Sequence, residues 1–145
     1  MEISYRIENI EEVSYSLNFH LLNKGIDKSG IGFRIGHEIN VQKETSEIFT
    51  TVYVFVIDQH NNTELASESV RATFYISPFD EVVKSIGKDG IEVSGSQLID
   101  TFINVTIGAI RGMMVKNFRG TPLDGCVLPL IPMQIIRKNT TQKKK

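Results

Sequence analysis

The side chains of this sequence that could support catalysis or metal binding are three histidines, one cysteine and scattered carboxylates. None of His20, His37 and His60 has a partner at the spacing of a metal or catalytic motif. His37 and Glu38 do not begin a His-Glu-x-x-His motif, because position 41 is valine. Asp58 precedes His60 in a turn-rich stretch, where both residue types commonly bond the local backbone. The pattern predicts no metal ion, no cofactor and no catalytic set, and therefore favours a protein that is not an enzyme.

Two weaker motifs lead to the same interpretation. Gly30, Gly32 and Gly36 are spaced like part of a phosphate-binding loop, but no helix follows them to supply its N-terminus. Cys126 stands in an apolar stretch and is interpreted as a small buried hydrophobe instead of a nucleophile. As the sole cysteine it rules out an internal disulfide and fits a reducing compartment, so we expect a cytoplasmic protein.

The bulk properties indicate one domain. A chain of 145 residues is long enough for one hydrophobic core, and its 16 basic and 17 acidic residues give no basic field for nucleic acid. Residues 1–10 lack the apolar run of a signal peptide, and no stretch reaches the length expected of a membrane span. We expect a domain over residues 1–136 and a basic, disordered tail over residues 137–145.

The first half of the chain predicts four antiparallel strands. Apolar and polar residues alternate over Val13–Leu21 and again over Ile31–Val41, which is typical of strands with one buried face. Ile48–Ile57 is rich in β-branched and aromatic residues, and we expect it to be covered on both faces. A fourth strand over Leu65–Phe79 ends at the proline of position 78. Short connections between sequential strands favour a meander.

A long helix follows the strands. Residues 80–95 predict an irregular crossover with one helical turn near Glu81–Lys84, and the helical period then runs over Ser96–Phe118. Its apolar stripe consists of Ile99, Phe102, Ile103, Thr106, Ile110, Met113 and Met114. The opposite face carries Gly108, Arg111 and Gly112, which would let a second chain approach closely, so we assign these residues to an oligomer interface.

A stiff apolar arm comes directly after the helix. Gly120 and Pro122 stop the helix, and Pro129 and Pro132 keep the chain extended beyond it. One helix cannot cover the sheet, so we expect the arm and a second copy of the chain to complete the cover. The candidate polypeptide-binding side chains are Leu123, Leu128 and Ile131 of the arm and Tyr15, Phe19 and Phe33 of the strands. The alternative is that all six belong to the core.

These elements and motifs resemble the SecB family of export chaperones. The resemblance covers about residues 13–136 and is carried by Thr73-Phe74-Tyr75-Ile76, by the helix over Leu98–Phe118, and by Arg119-Gly120-Thr121-Pro122 with Leu128-Pro129. It implies an α+β fold and a homotetramer assembled as a dimer of dimers, with apolar grooves for unfolded or precursor polypeptides. It also implies docking on the translocation ATPase through an acidic surface, for which Glu64 and Glu68 are the candidates. The family's second helix would be short or absent here.

We therefore favour a holdase that needs no nucleotide, acts in protein export and does not insert into membranes. Two alternatives in the same class are an oligomeric binding domain and a chaperone associated with toxin–antitoxin pairs. A hotdog-like thioesterase is the enzymatic alternative, and it requires an acidic residue or histidine at the helix start. Asp100 is the only acidic residue there, and the helix follows the strands, whereas in a hotdog fold it precedes most of the sheet.

Overall fold

The computed structural model of the chain describes residues 2–87, 90–93, 96–132 and 134–135. The predicted tail over residues 137–145 lies outside these residues, and so does most of the segment in which a second helix would fall. The elements follow in the order β1 Ser4–Leu17, α1 Phe19–Leu22, β2 Ile31–Gln42, β3 Glu47–Asp58, β4 Thr63–Ser77, α2 Phe79–Val82, β5 Val83–Gly87, β6 Gly90–Val93 and α3 Ser96–Phe118. Short 3₁₀ turns at Lys28–Gly30 and Lys43–Thr45 precede and follow β2.

The first four strands form one antiparallel sheet in the order β1-β4-β3-β2. The predicted meander holds for β2, β3 and β4, whereas β1 pairs with β4 and not with β2. Residues 18–30 make this possible, because a connection that holds α1 and a 3₁₀ turn can pass the end of the sheet. The same connection corrects the predicted first strand, since Phe19 lies in α1 and not in β1.

The central strand β3 separates the two faces of the sheet. On the face that α3 covers, its side chains are fully buried: Ile48, Thr50, Val52, Val54 and Val56. On the opposite face Phe49, Tyr53 and Phe55 are only partly buried. The expectation that this strand is covered on both faces is therefore confirmed for one face only, because α3 packs on a single side of the sheet.

Residues 79–87 and 90–93 are more regular than the sequence indicates. The predicted helical turn near Glu81–Lys84 is present as α2, which begins two residues earlier, and a hairpin of β5 and β6 follows it in place of irregular chain. Phe79, Val82 and Val83 are buried in an apolar cluster with Phe74 and Phe102. Burial of these three side chains holds α2 and the start of β5 against the core.

The helix α3 has the predicted bounds and the predicted orientation. It packs mainly against β4 and β3, and its buried side chains include Phe102, Ile103, Thr106, Ile107, Ile110, Met114 and Phe118. Its Phe102 ring stacks on Phe74 at 4.0 Å between ring centres. Over Leu98–Phe118 this helix is also long and apolar enough to cross a membrane, with a mean hydropathy of 1.4. By that measure the expectation that no stretch reaches such a length is wrong, because the core stripe itself supplies the hydropathy.

Candidate functional site

The arm begins where α3 ends, at a turn that only glycine adopts without strain. Gly120 has φ of +78°, the left-handed conformation expected after a helix terminus. The backbone N–H and the side-chain hydroxyl of Thr121 both donate to the Phe118 carbonyl, at 3.0 and 2.7 Å. Asp124 accepts from the Gly120 N–H at 3.2 Å. The predicted stop at Gly120-Thr121-Pro122 is thus confirmed.

Three contacts hold the arm against the rest of the chain. Leu123 and Leu128 are fully buried in the apolar cluster formed with β3, β4 and α3. Arg111 of α3 donates from Nε to the Leu128 carbonyl at 2.7 Å and from Nη2 to the Pro129 carbonyl at 2.8 Å. Lys28 donates to the Asp124 carbonyl at 2.6 Å. Burial therefore argues against direct contact of Leu123 or Leu128 with a bound polypeptide, and their structural role is to anchor the arm.

Between and beyond these anchors the arm presents apolar side chains to solvent. Val127 is 50% exposed and Leu130 is 89% exposed, while Ile131 is partly buried against the same cluster as the anchors. Proline at positions 129 and 132 restricts the backbone on either side of Leu130. The arm is thus fixed in place with an exposed apolar edge.

The helix-facing side of β2 is also incompletely covered. Because α3 lies over β4 and β3, the β2 side chains Phe33, Ile35 and Ile39 are only partly buried, and they pack against the same cluster as Ile131. We call the partly exposed apolar side chains of these two segments the arm–β2 surface: Phe33, Ile35, Ile39, Val127, Leu130 and Ile131. Two of the six predicted binding residues, Phe33 and Ile131, belong to it.

The two remaining predicted binding residues lie elsewhere. Tyr15 donates its hydroxyl to the Asn117 carbonyl at 3.1 Å, and its ring lies beside Phe118. Burial, together with the nearby carboxylates of Glu68 and Glu12, raises the pKa of Tyr15. Phe19 is 62% exposed on α1 and is not among the side chains that pack against the apolar cluster of Phe33 and Ile131. Tyr15 thus links β1 to the end of α3.

Glu68 does not contribute to an acidic surface, because it is buried. Its side chain is on the helix-facing side of β4, where Asn117 donates from Nδ2 to Glu68 Oε1 at 2.8 Å and to Glu12 Oε2 at 2.7 Å. Burial, and then the contact with Glu12, raises the pKa of Glu68 to about 8. Only Glu64 of the two acidic candidates is exposed.

The predicted oligomer-interface face of α3 is open in the single chain. Gly108 and Gly112 are exposed, and a Cβ atom added at either position would meet nothing within 4 Å. Arg111 is committed to the arm through its two carbonyl contacts. The interface role of this face stays a prediction, while Arg111 has a visible intramolecular role.

One exposed apolar surface is not among the residues singled out from the sequence. Ile3, Tyr5, Ile7 and Ile10 of the N-terminal segment are exposed, and Tyr5 meets Phe102 of α3 edge-on at 5.7 Å between ring centres. We call these four residues the β1 apolar strip. The alternation of Ile3, Tyr5 and Ile7 with Ser4, Arg6 and Glu8 was the available signal. This alternation is short and includes charged residues, and the first strand was predicted to begin only at Val13, so these residues were not assigned to a strand.

The fold is similar to that of a known chaperone. A structure of the SecB-like chaperone of Mycobacterium tuberculosis, in complex with a ChAD peptide from the HigA1 antitoxin, matches with a TM-score of 0.58 and 11% sequence identity. The match covers 88% of this chain and 91% of that chaperone. No protein-family model matches the sequence, and no curated protein is significantly similar to it. The four-stranded antiparallel sheet with its long C-terminal helix is therefore a SecB-like fold.

Proposed function

We propose that this protein is a SecB-like chaperone that holds unfolded or partner polypeptides on the arm–β2 surface. The observation that carries the proposal is an arm fixed by buried anchors and by Arg111, with apolar side chains left open along it and along β2. The similar fold of a chaperone in complex with an antitoxin peptide supports a polypeptide as the ligand.

The physical basis of binding is burial of apolar surface on a preformed site. Covering exposed groups such as Leu130 and Val127 contributes about 25 cal/mol for each Å² removed from water. Because the arm is already held, little conformational entropy is lost on binding. Many modest contacts of this kind need no nucleotide and discriminate little between sequences, as holding diverse clients requires.

The test is suppression of aggregation during refolding of an aggregation-prone substrate. We expect the wild-type chain to suppress aggregation, and Leu130→Asp and Phe33→Asp to suppress it less while remaining folded. Asn40→Asp places the same charge on the opposite face of β2 and should leave suppression unchanged. If the wild-type chain has no effect, or if the folded arm and β2 variants match it, the proposed site is wrong.

The bound polypeptide could be an antitoxin or an export precursor. The antitoxin peptide bound by the similar chaperone favours a toxin–antitoxin role as the second candidate. A role in export is less well supported, because it would need an acidic surface to dock on the translocation ATPase. Glu68 is buried, and the sheet face opposite α3 carries charges of both signs: Arg6, Arg34, Arg71, Glu11 and Glu38. Binding measured in parallel to an antitoxin peptide and to an export precursor would separate the two roles.

We also propose that the protein acts in the cytoplasm, that it is a homo-oligomer (a dimer or a dimer of dimers), and that it is not an enzyme.

The described residues form a pocket of about 380 Å³ at the start of β2. It is lined by Gly32, Phe33, Arg34, Ile57, Gln59 and Asn62. That lining has no carboxylate, histidine or cysteine, so it supports no hydrolytic chemistry of the thioesterase kind.

A further inference from the structure

A carboxyl group buried in the sheet lies beside a second carboxylate, directly under the last turn of α3. Glu68 of β4 is 1% exposed, and Glu12 lies on the neighbouring strand β1, opposite Val70. The Asn117 amide nitrogen donates to both groups, at 2.8 and 2.7 Å. Two acidic side chains from neighbouring strands therefore share one donor from the helix.

An irregularity in β1 brings these groups together. The register passes from Glu12 opposite Val70 to Ser14 opposite Ser69, so β1 contains one extra residue at this point. In a regular strand residues 12 and 15 would face opposite sides of the sheet. The bulge lets both Glu12 and Tyr15 reach Asn117 on the helix-facing side, where Glu68 is buried.

One oxygen of Glu68 has no donor to accept from. Glu68 Oε2 is buried without a hydrogen-bond partner among the described residues. Its neighbours on the same face of β4 are Ala66 and Val70, and Val54 lies opposite on β3. The titratable groups that interact with Glu68 are Glu12 and Tyr15, and no cation of the described residues accompanies them. A buried carboxylate in such surroundings is costly, whereas a protonated carboxyl would turn Oε2 into a donor.

We propose that Glu68 is protonated in the folded protein at neutral pH and donates its proton to Glu12, so that one shared proton joins β4 to β1 beneath the end of α3. This inference is independent of the polypeptide-binding role. Burial first, and then the Glu12 contact, raise the pKa of Glu68 to about 8, while the hydrogen bond from Asn117 opposes the rise. These directions agree with the geometry.

The shared proton makes folding stability depend on pH in a defined direction. Between 4.5, the ordinary pKa of glutamic acid, and about 8, the folded chain binds one more proton than the unfolded chain. The stability from this group is therefore fully present below pH 4.5 and is lost as the pH rises through about 8. Above that value two negative charges lie under Asn117, next to Phe118, where the arm begins.

Carbon-13 NMR of glutamate carboxyl groups in the full chain tests the protonation directly. We expect one resonance that is still protonated at pH 7, titrates near 8 and disappears in Glu68→Gln. Glu64→Gln, an exposed change on the same strand, should leave that resonance in place. Glu12→Gln should move its titration to lower pH, because the neighbouring charge is removed. If every glutamate of the folded wild-type protein is ionised at pH 7, the proposal is overturned.

Thermal unfolding between pH 5 and pH 9 tests the consequence. The wild-type midpoint should fall over this range by more than that of Glu68→Gln, whose side chain cannot ionise. An equal fall in both proteins would assign the pH dependence to other groups and refute a role for the shared proton. Should Glu68→Gln fail to fold, the wild-type and Glu12→Gln NMR titrations still decide the question.

Discussion

At the scale of single residues, the leucines of the arm differ in their exposure to solvent. Leu123 is fully buried between the sheet and α3, while Leu130 is the most exposed large apolar side chain in the described part of the chain. Between these two leucines, the guanidinium group of Arg111 donates hydrogen bonds to the successive carbonyl groups of Leu128 and Pro129 and so holds the backbone of the arm. One end of the arm is thus core, and the other is available surface.

This difference predicts opposite outcomes for the same substitution. Leu123→Ala should lower the free energy of unfolding by about 2–5 kcal/mol, because it leaves a cavity in the core. Leu130→Ala should change it by less than about 0.5 kcal/mol, because the side chain is already in water. Urea denaturation of both variants measures the contrast. Equal losses would mean that Leu130 is covered in solution, for example by a second copy of the chain.

Which candidate site residues are core could not be read from residue types. Leu128 and Ile131 have similar hydrophobicity and lie in the same proline-containing segment, yet Leu128 is buried and Ile131 is partly open. The difference depends on where α3 lies across the sheet, which places the arm beside β2. The exposed neighbour Leu130 carries no distinguishing signal in the sequence. Its exposure follows from the backbone direction that Arg111 and the two prolines impose.

At the scale of elements, regular patterns were predicted well and interrupted ones were not. The helical stripe of α3 continues over six turns, and β2 alternates apolar and polar residues along its length, so the bounds of both are close to those expected. The continuous β-branched and aromatic run of β3 marks its bounds equally well. In β1 the register shifts twice, after Ile7 and after Glu12, and each shift reverses which residues face the helix. The hairpin of β5 and β6 was missed because short, glycine-containing segments give no period to recognise.

The exposed glycine face of α3 supports a prediction at this scale. In an isolated chain Gly108→Leu should favour the helix by about 1 kcal/mol, because leucine has the better propensity and the position is open. If the face packs closely against a second copy, the same change should weaken assembly. Circular dichroism and light scattering together separate these effects. Thr101→Leu, an exposed change on the same helix without loss of a glycine, is the matched control.

At the scale of the whole molecule, the covered and uncovered surfaces are unevenly distributed. One helix and the arm cover one side of a four-stranded sheet, so its two edges are less well covered than its centre. At the β2 edge the open residues border the arm. At the β1 edge the β1 apolar strip lies beside Phe102 at the N-terminal half of α3. A monomer would leave both edges in water, which is uncommon for contiguous apolar surfaces.

The two edges cannot serve the same purpose if the protein both assembles and binds clients. The arm–β2 surface is open to a ligand, because Leu130 and Val127 are exposed on an arm that is already held in place. The β1 apolar strip lies along the edge strand of the sheet, whose outer edge pairs with no other strand among the described residues, and such an edge can pair with a second β1. We therefore predict that assembly uses the β1 edge and polypeptide binding the β2 edge, with the face around Gly108 as a second assembly contact.

This assignment predicts the solution mass and the way to change it. Light scattering at micromolar concentration should give a multiple of the 16.3 kDa chain mass, as a dimer or a tetramer. Tyr5→Asp combined with Ile7→Asp should reduce that mass, because buried charges would replace apolar contacts at the β1 edge. Asn9→Asp, on the opposite face of the same strand, should not reduce it. A wild-type monomer would refute assembly altogether, whereas a smaller assembly that still suppresses aggregation would show that the two edges act separately.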